Sequence, residues 1–189
     1  MKRPAFVSAF AALLTALPPA AAETYAIDPS HTFPSFEIGH FGFSVQRGRF
    51  NKTQGKVTMD RAAGTGTVDV TIDTASIDTG HEKLEAHLRA EDFFDVAKHP
   101  TITFKGTGFV FDGDRMKSVA GVLTMLGNSR PVTLDATAFN CGPHPVNKKP
   151  VCGGEFVAKI KRSDWGMTKF VPAVTDEVTL RINVEARQD

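Results

Sequence analysis

Apolar residues recur at every second position over short stretches of this chain, a period compatible with little besides half-buried β-strands. Val68, Val70 and Ile72 share one face, with Thr67, Asp69, Thr71 and Asp73 opposite, and Phe36, Ile38 and His40 repeat the pattern. Further candidate strands are Tyr25 to Asp28, Gln54 to Asp60, Thr101 to Phe111, Arg115 to Leu126, Arg130 to Asn140, Gly153 to Lys161 and Asp176 to Ala186. Gly and Pro lie between them as turn punctuation. Eight or nine antiparallel strands predict an all-β protein closed into a barrel. About eight strands enclose an interior that is either filled by side chains or left open for one small ligand, and periodicity alone does not choose between the two.

One segment breaks the strand pattern. Thr79 and Glu82 have capping-box spacing, which predicts a short helix from about Gly80. On that helix Leu84 and Leu88 form an apolar stripe flanked by His81 and His87, while Glu85 and Arg89 make an i,i+4 pair expected on the solvent side. Phe93 and Phe94 follow at the helix exit, and Pro100 introduces the next strand. A short helix with one greasy face, inserted in a barrel, reads as a lid or plug.

Residues 1–22 carry a charged start (Lys2, Arg3), an apolar stretch from Phe6 to Leu17 and a small-residue end at Ala20-Ala21-Ala22, the pattern of a cleaved secretory signal. The expected mature domain is residues 23–189, exported to the periplasm. The apolar stretch is too short to span a bilayer, and no later segment approaches the roughly 18 uncharged apolar residues of a membrane helix. Cleavage removes two of the 22 basic residues and none of the 21 acidic ones, leaving a net charge of minus one. Nucleic acid and anionic membrane therefore have no electrostatic claim as the main partner. The chain has 15 Phe, two of them in the leader, against one Trp and one Tyr, so its large rings mostly lack a polar handle. Such a lining suits an unbranched or isoprenoid hydrophobic molecule better than a sugar or nucleotide; filling a solid core is the competing use of the same rings.

Cys141 and Cys152 enclose a Pro-rich loop between two candidate strands, and in an exported chain they are expected to form a disulfide. The rival, a metal held with His144, has only three ligands, and no metal site is expected. His81 and His87 stand about 9 Å apart along the helix and about 120° around it, which is unsuitable for holding one ion. Asp28, Ser30 and His31 contain the letters of a hydrolytic triad, but in a strand Asp28 and Ser30 would point to one face and His31 to the other. Lys148, Lys149, Lys161, Arg162 and Lys169 are read as solvated loop residues rather than a head-group site.

Four separated motifs carry a family resemblance over nearly the whole mature sequence. They are Ile27-Asp28-Pro29-Ser30-His31-Thr32 with Phe36, Ile38 and His40 and then Gly48 and Phe50; Leu88 to Phe104, with its Leu-Arg and Asp-Phe-Phe-Asp; the hairpin signature Gly121, Leu123, Thr124, Met125, Gly127, Pro131, Val132 and Leu134; and Arg162-Ser163-Asp164-Trp165-Gly166-Met167. Together and in order they resemble the YceI-like family of bacterial lipocalin-like proteins, also described as polyisoprenoid-binding. Pro34 departs from an aliphatic strand position and implies an edge or bend there.

The resemblance implies an eight-stranded antiparallel, lipocalin-like barrel holding a polyprenyl or quinone-type tail, for transport, storage or sequestration. It brings no catalytic residues and no cofactor beyond bound isoprenoid or other lipid, so no enzyme is expected. The expected cavity lining is Phe36, Ile38, Phe41 and Phe43 from the early strand and bend, Leu84, Leu88, Phe93 and Phe94 from the lid, and Phe104, Met125, Phe139, Trp165, Met167 and Phe170. The alternatives are an exported hydrolase, which would need a base and nucleophile from distant segments, and a stress or interaction module with a filled barrel. A homodimer through an exposed edge strand stays open.

Overall fold

The computed structural model describes residues 22–188; the expected leader lies outside these residues apart from its last position. The strands are β1 (Glu23–Ile27), β2 (Phe33–His40), β3 (Ser44–Phe50), β4 (Thr53–Asp60), β5 (Thr65–Asp73), β6 (Ile77–Asp78), β7 (Thr101–Asp112), β8 (Arg115–Met125), β9 (Asn128–Pro143), β10 (Pro150–Lys161) and β11 (Val174–Gln188). A single α-helix among the described residues, α1 (Glu82–Arg89), lies between β6 and β7. Every pairing is antiparallel, in the order β1-β4-β5-β7-β8-β9-β10-β11-β2-β3-β6, and the pairing of β1 with β11 closes the barrel.

These segments make eight staves. β1 and β2 are one strand interrupted by a turn at 28–32, and both pair with β11: Ile27 faces Ala186, and Phe33 faces Asn183. β3 and β4 are likewise one antiparallel partner to that strand, from His40 opposite Ser44 to Glu23 opposite Met59. β5 and β6 continue the same way, with Ile72 opposite Thr53 and Ile77 opposite Phe50. The expected bend at Pro34 falls just after the break, one residue before β3 begins pairing at Ser35. The alternation reading did not resolve β3 or β6: most of β3 is exposed on both faces and so carries no apolar period.

The interior is hollow. Val68, Val70 and Ile72 face inward as their alternation predicts, and so do Phe36, Ile38 and His40. Several rings are pressed against the wall instead of reaching across it. The Phe36 ring lies over Gly48, its cross-strand partner, and Phe104 lies over Gly121 on the adjacent strand. A Cβ at either glycine would come within 2.5 to 2.6 Å of the ring's Cζ, so only glycine lets these rings lie flat.

The helix starts two residues later than the capping box predicts. His81 is the N-cap, its Nδ1 accepting from the Leu84 N–H at 3.0 Å, and the carboxylate that accepts from the Thr79 N–H at 2.9 Å belongs to Glu85, not Glu82. The Glu85–Arg89 pair exists, at 3.5 Å, but faces the barrel rather than solvent: Arg89 also donates to the Ala75 and Ile77 carbonyls at 2.9 Å. The hydrogen bond from the Thr79 N–H lowers the Glu85 carboxyl below its ordinary range. These contacts tie the lid to the strand that precedes it. Beyond the helix the chain folds back, with the Phe94 N–H donating to Leu88 O and the Val96 N–H to Arg89 O, which buries Phe93 and Phe94.

Cys141 and Cys152 face each other across β9 and β10 and are disulfide-bonded. The His144 Nδ1 accepts from the Val146 and Asn147 N–H groups, so that ring caps the loop between them.

Candidate ligand cavity

A cavity of about 770 Å³ occupies the barrel. Alternate residues of β11 line it from Val178 through Leu180, Ile182 and Val184 to Ala186, and Val174 lines it beyond a register shift. At about 3.3 Å per residue, with the tilt usual for barrel strands, that stretch corresponds to an axial length of about 30 Å. Phe, Met and aliphatic side chains dominate the wall. Exposed lining residues occur only where the cavity meets solvent among the described residues: Phe41, Gln46, Arg47, His81, His87 and Phe170. They mark a mouth between α1, the β2–β3 turn and the segment before β11.

Of the expected lining residues, the structure brings Phe36, Ile38, Phe41, Leu84, Leu88, Phe93, Phe94, Phe104, Met125, Phe139, Met167 and Phe170 around this one space. Phe94 stacks edge-on against Phe50 at 5.5 Å, Phe93 against His87 at 4.7 Å, and Phe170 lies 6.3 Å from Phe93, so the lid residues form a chain of rings from wall to mouth. Two expected residues lie elsewhere. Phe43 is 91% exposed at the tip of the β2–β3 turn, where no wall faces it. Trp165 is 2% exposed and packs outside the lumen, its Nε1 donating to Leu123 O at 3.1 Å while its own carbonyl accepts from Asn128. A buried indole N–H needs an acceptor, and the greasy lumen has none to offer. The sequence reading missed Ile27, Val57, Met59, Phe109, Met116 and Leu180, which line the cavity at alternating strand positions. Period two marks such residues as inward but does not separate lining from filling.

Arg162 is the main polar surprise. It reads as a solvated loop cation, but it is 2% exposed and touches the cavity. Its guanidinium donates to four carbonyls: Thr175 at 3.0 Å, Met167 at 3.1 Å, Lys169 at 2.8 Å and Val174 at 3.0 Å. One side chain thereby shapes the segment carrying Met167 and Phe170. Lys169 instead reaches Asp92 at 3.1 Å, and Lys148 lies in the disulfide loop, so the five basic residues do not converge on one anion site.

Asp28, Ser30 and His31 do converge, against the strand-face expectation, because they occupy the turn between β1 and β2. The Ser30 Oγ donates to Asp28 at 2.6 Å, and the His31 Nδ1 lies 2.8 Å from Asp28 and 3.0 Å from the Ser30 Oγ. A relay needs serine and aspartate on opposite ring nitrogens, and here both meet Nδ1. Burial opposes ionisation of Asp28. Hydrogen bonds from Ser30 and His31, with the Arg187 guanidinium against it, outweigh that and hold the carboxyl at about 2. Glu185 brings a third ligand-type atom within 4.8 Å of Asp28 and His31, and the Arg187 guanidinium is paired with the Asp28 carboxylate of that cluster.

Residues 25–186 match the family model for the YceI-like domain. The chain is 37% identical to Protein YceI of Escherichia coli O157:H7 over 191 residues, covering 100% of this chain and 99% of that protein. Among solved structures, Burkholderia cenocepacia BcnA superposes with a TM-score of 0.71 at 26% identity, covering 84% of this chain and 98% of that one. A polyisoprenoid binding domain from Saccharophagus degradans superposes with a TM-score of 0.65 at 15% identity, over 87% of this chain and 98% of that domain, a likeness of fold. The closed barrel, the hollow interior and these matches agree: the chain belongs to the YceI-like family.

Proposed function

We propose that this protein is a binding protein, not an enzyme, that holds one long apolar molecule of the isoprenoid or quinone-tail class inside its barrel. The observation that carries this reading is the 770 Å³ cavity, long, lined by Phe, Met and aliphatic side chains, and open at one end. A filled barrel would leave no such volume, and burial of each CH₂ in it is worth about 0.8 kcal/mol. Gln46, Arg47, His81 and His87 at the mouth suit the polar end of an amphiphile, with its tail pointing inward. The binding class named for the Saccharophagus degradans domain supports the same guest. The leader-like residues 1–22 and the Cys141–Cys152 bond fit an oxidising compartment, so the proposed location is the periplasm, in transport, storage or sequestration of the guest.

The test is to purify the protein from its own host's periplasm, extract it with organic solvent and weigh the extract by mass spectrometry. A stoichiometric lipid is expected, and Phe93→Asp or Phe94→Asp should retain much less of it while staying folded. A guest-free extract, with no uptake of added polyprenyl lipid, would overturn the reading.

A further inference from the structure

Two neighbouring loops at the mouth carry bulky apolar side chains into solvent. In the β2–β3 turn Phe41 is 50% and Phe43 91% exposed; before β11, Phe170 is 47% and Val171 37% exposed. The loops touch, with the Phe41 N–H donating to Ala173 O at 2.7 Å and His40 pairing with Val174. In a chain that is 23% Asp, Glu, Lys and Arg, neither residues 38–45 nor residues 170–174 contain one. Surface turns are ordinarily polar. Phe41 and Phe170 also have φ of 53° and 63°, a region that bulky residues seldom enter and that glycine would take without strain. The patch is continuous with the lumen, because both of these rings line the cavity while standing half in water.

We infer that this charge-free aromatic tip is a membrane-docking surface. It inserts into the interfacial layer of a bilayer and sets the cavity mouth against lipid, so that the guest passes between bilayer and barrel without crossing water. The inference rests on the apolar guest proposed above for the choice of cargo, though docking itself does not depend on it. Aromatic side chains favour the bilayer interface. The rings expose roughly 400 Å² in all, taking about 200 Å² for a whole side chain, about half of what each partner contributes to a stable protein dimer. A lipid surface asks for no such area or complementarity. The cations that flank the tip, Arg47 and Lys169, are paired with Glu37, which Arg181 shares, and with Asp92, so the collar carries only a small positive charge. Docking should therefore extend to zwitterionic lipid and depend little on salt.

The test uses the mature protein with vesicles of phosphatidylethanolamine and phosphatidylglycerol, comparing wild type with Phe43→Asp and Val171→Asp. Neither of those positions lines the cavity. Co-sedimentation should fall roughly tenfold in Phe43→Asp, the scale of one aromatic side chain withdrawn from lipid. The transfer rate of a fluorescent polyprenyl lipid should rise with vesicle concentration for wild type and lose that dependence in both variants, with affinity for the same probe in detergent solution unchanged. Equal sedimentation of wild type and variants, or a wild-type rate independent of vesicle concentration, overturns the inference. So does a wild-type dimer that Phe43→Asp dissociates without any vesicle association. Sedimentation of guest-free protein reads docking even if no polyprenyl lipid binds, which separates failure of this inference from failure of the proposed function.

Discussion

The ring of Phe104 lies across Gly121, so close that a Cβ on Gly121 would stand 2.6 Å from its Cζ. The two residues sit on paired strands, Phe104 opposite Leu123 and Gly121 opposite Gly106, and together they hold a large side chain flat against the wall. The glycine has no side chain of its own to fill the lumen, and it lets its neighbour stay out of the lumen as well.

A Cβ on Gly121 would also stand 2.6 Å from the Lys105 carbonyl oxygen, so substituting Gly121→Val should destabilise the barrel by about 3 kcal/mol, the upper end of the usual cost of overpacking. It should also weaken guest binding, since a displaced Phe104 ring enters the cavity. Urea unfolding and titration with a fluorescent polyprenyl lipid read the two effects. Adding Phe104→Leu should restore part of the binding but little of the stability, because the Lys105 carbonyl oxygen would still stand 2.6 Å from the new Cβ.

Arg162 is the second lever. Replacing it with Met leaves four carbonyls without their shared donor, and the expected loss is about 3 kcal/mol by urea unfolding. Arg162→Lys should recover little of it, because a single ammonium cannot reproduce the planar fork. Unchanged stability in Arg162→Met would mean that the 166–173 segment is held by other contacts.

The Cys141–Cys152 bond joins positions 11 apart in the sequence at the β9–β10 end. Its removal in the Cys141→Ala, Cys152→Ala double variant should cost about 3 kcal/mol, chiefly through the unfolded state. His144 should still cap the loop in that variant. Thermal unfolding in the presence and absence of a thiol reductant checks this: wild type should lose stability with reductant, and the variant should not respond.

Asp28 sets an acid limb. Its folded carboxyl lies at about 2, below the ordinary 3.8, so its ionised form stabilises the fold at higher pH. That contribution is complete above the unfolded value and is lost as pH falls from there through about 2. Asp28→Asn should be less stable at neutral pH and should show a shallower fall in melting temperature on acidification across that window. A fall as steep as wild type's would assign the acid limb to other carboxylates, among them Asp176, whose pairing with Ser163 also lowers it.

Much of the architecture was legible because a sheet with one dry face writes its period directly into the chain. Val68, Val70 and Ile72 turned inward for that reason. Three of the four family motifs fall at hydrogen-bonded or buried places outside the regular strands: the Asp28 turn, the lid exit at Phe93 and Phe94, and the Arg162 loop. The period was silent where no face is dry, as in β3, and strand alternation does not apply to residues 28–32, a turn in which Asp28, Ser30 and His31 meet without forming a relay.

The sequence by itself determined the inward positions of the alternating strands, the helical interruption between β6 and β7 and the cysteine pair, because each follows from local periodicity or from short spacing along the chain. Only the tertiary structure decided that the interior is hollow, that Trp165 and Phe43 lie outside it and that Arg162 is buried. It also decided that two distant charge-free loops meet at the mouth. Those outcomes depend on how eight staves curve and which side chains oppose one another across the barrel, and inward-facing residues share one sequence pattern whether they fill a core or line a cavity.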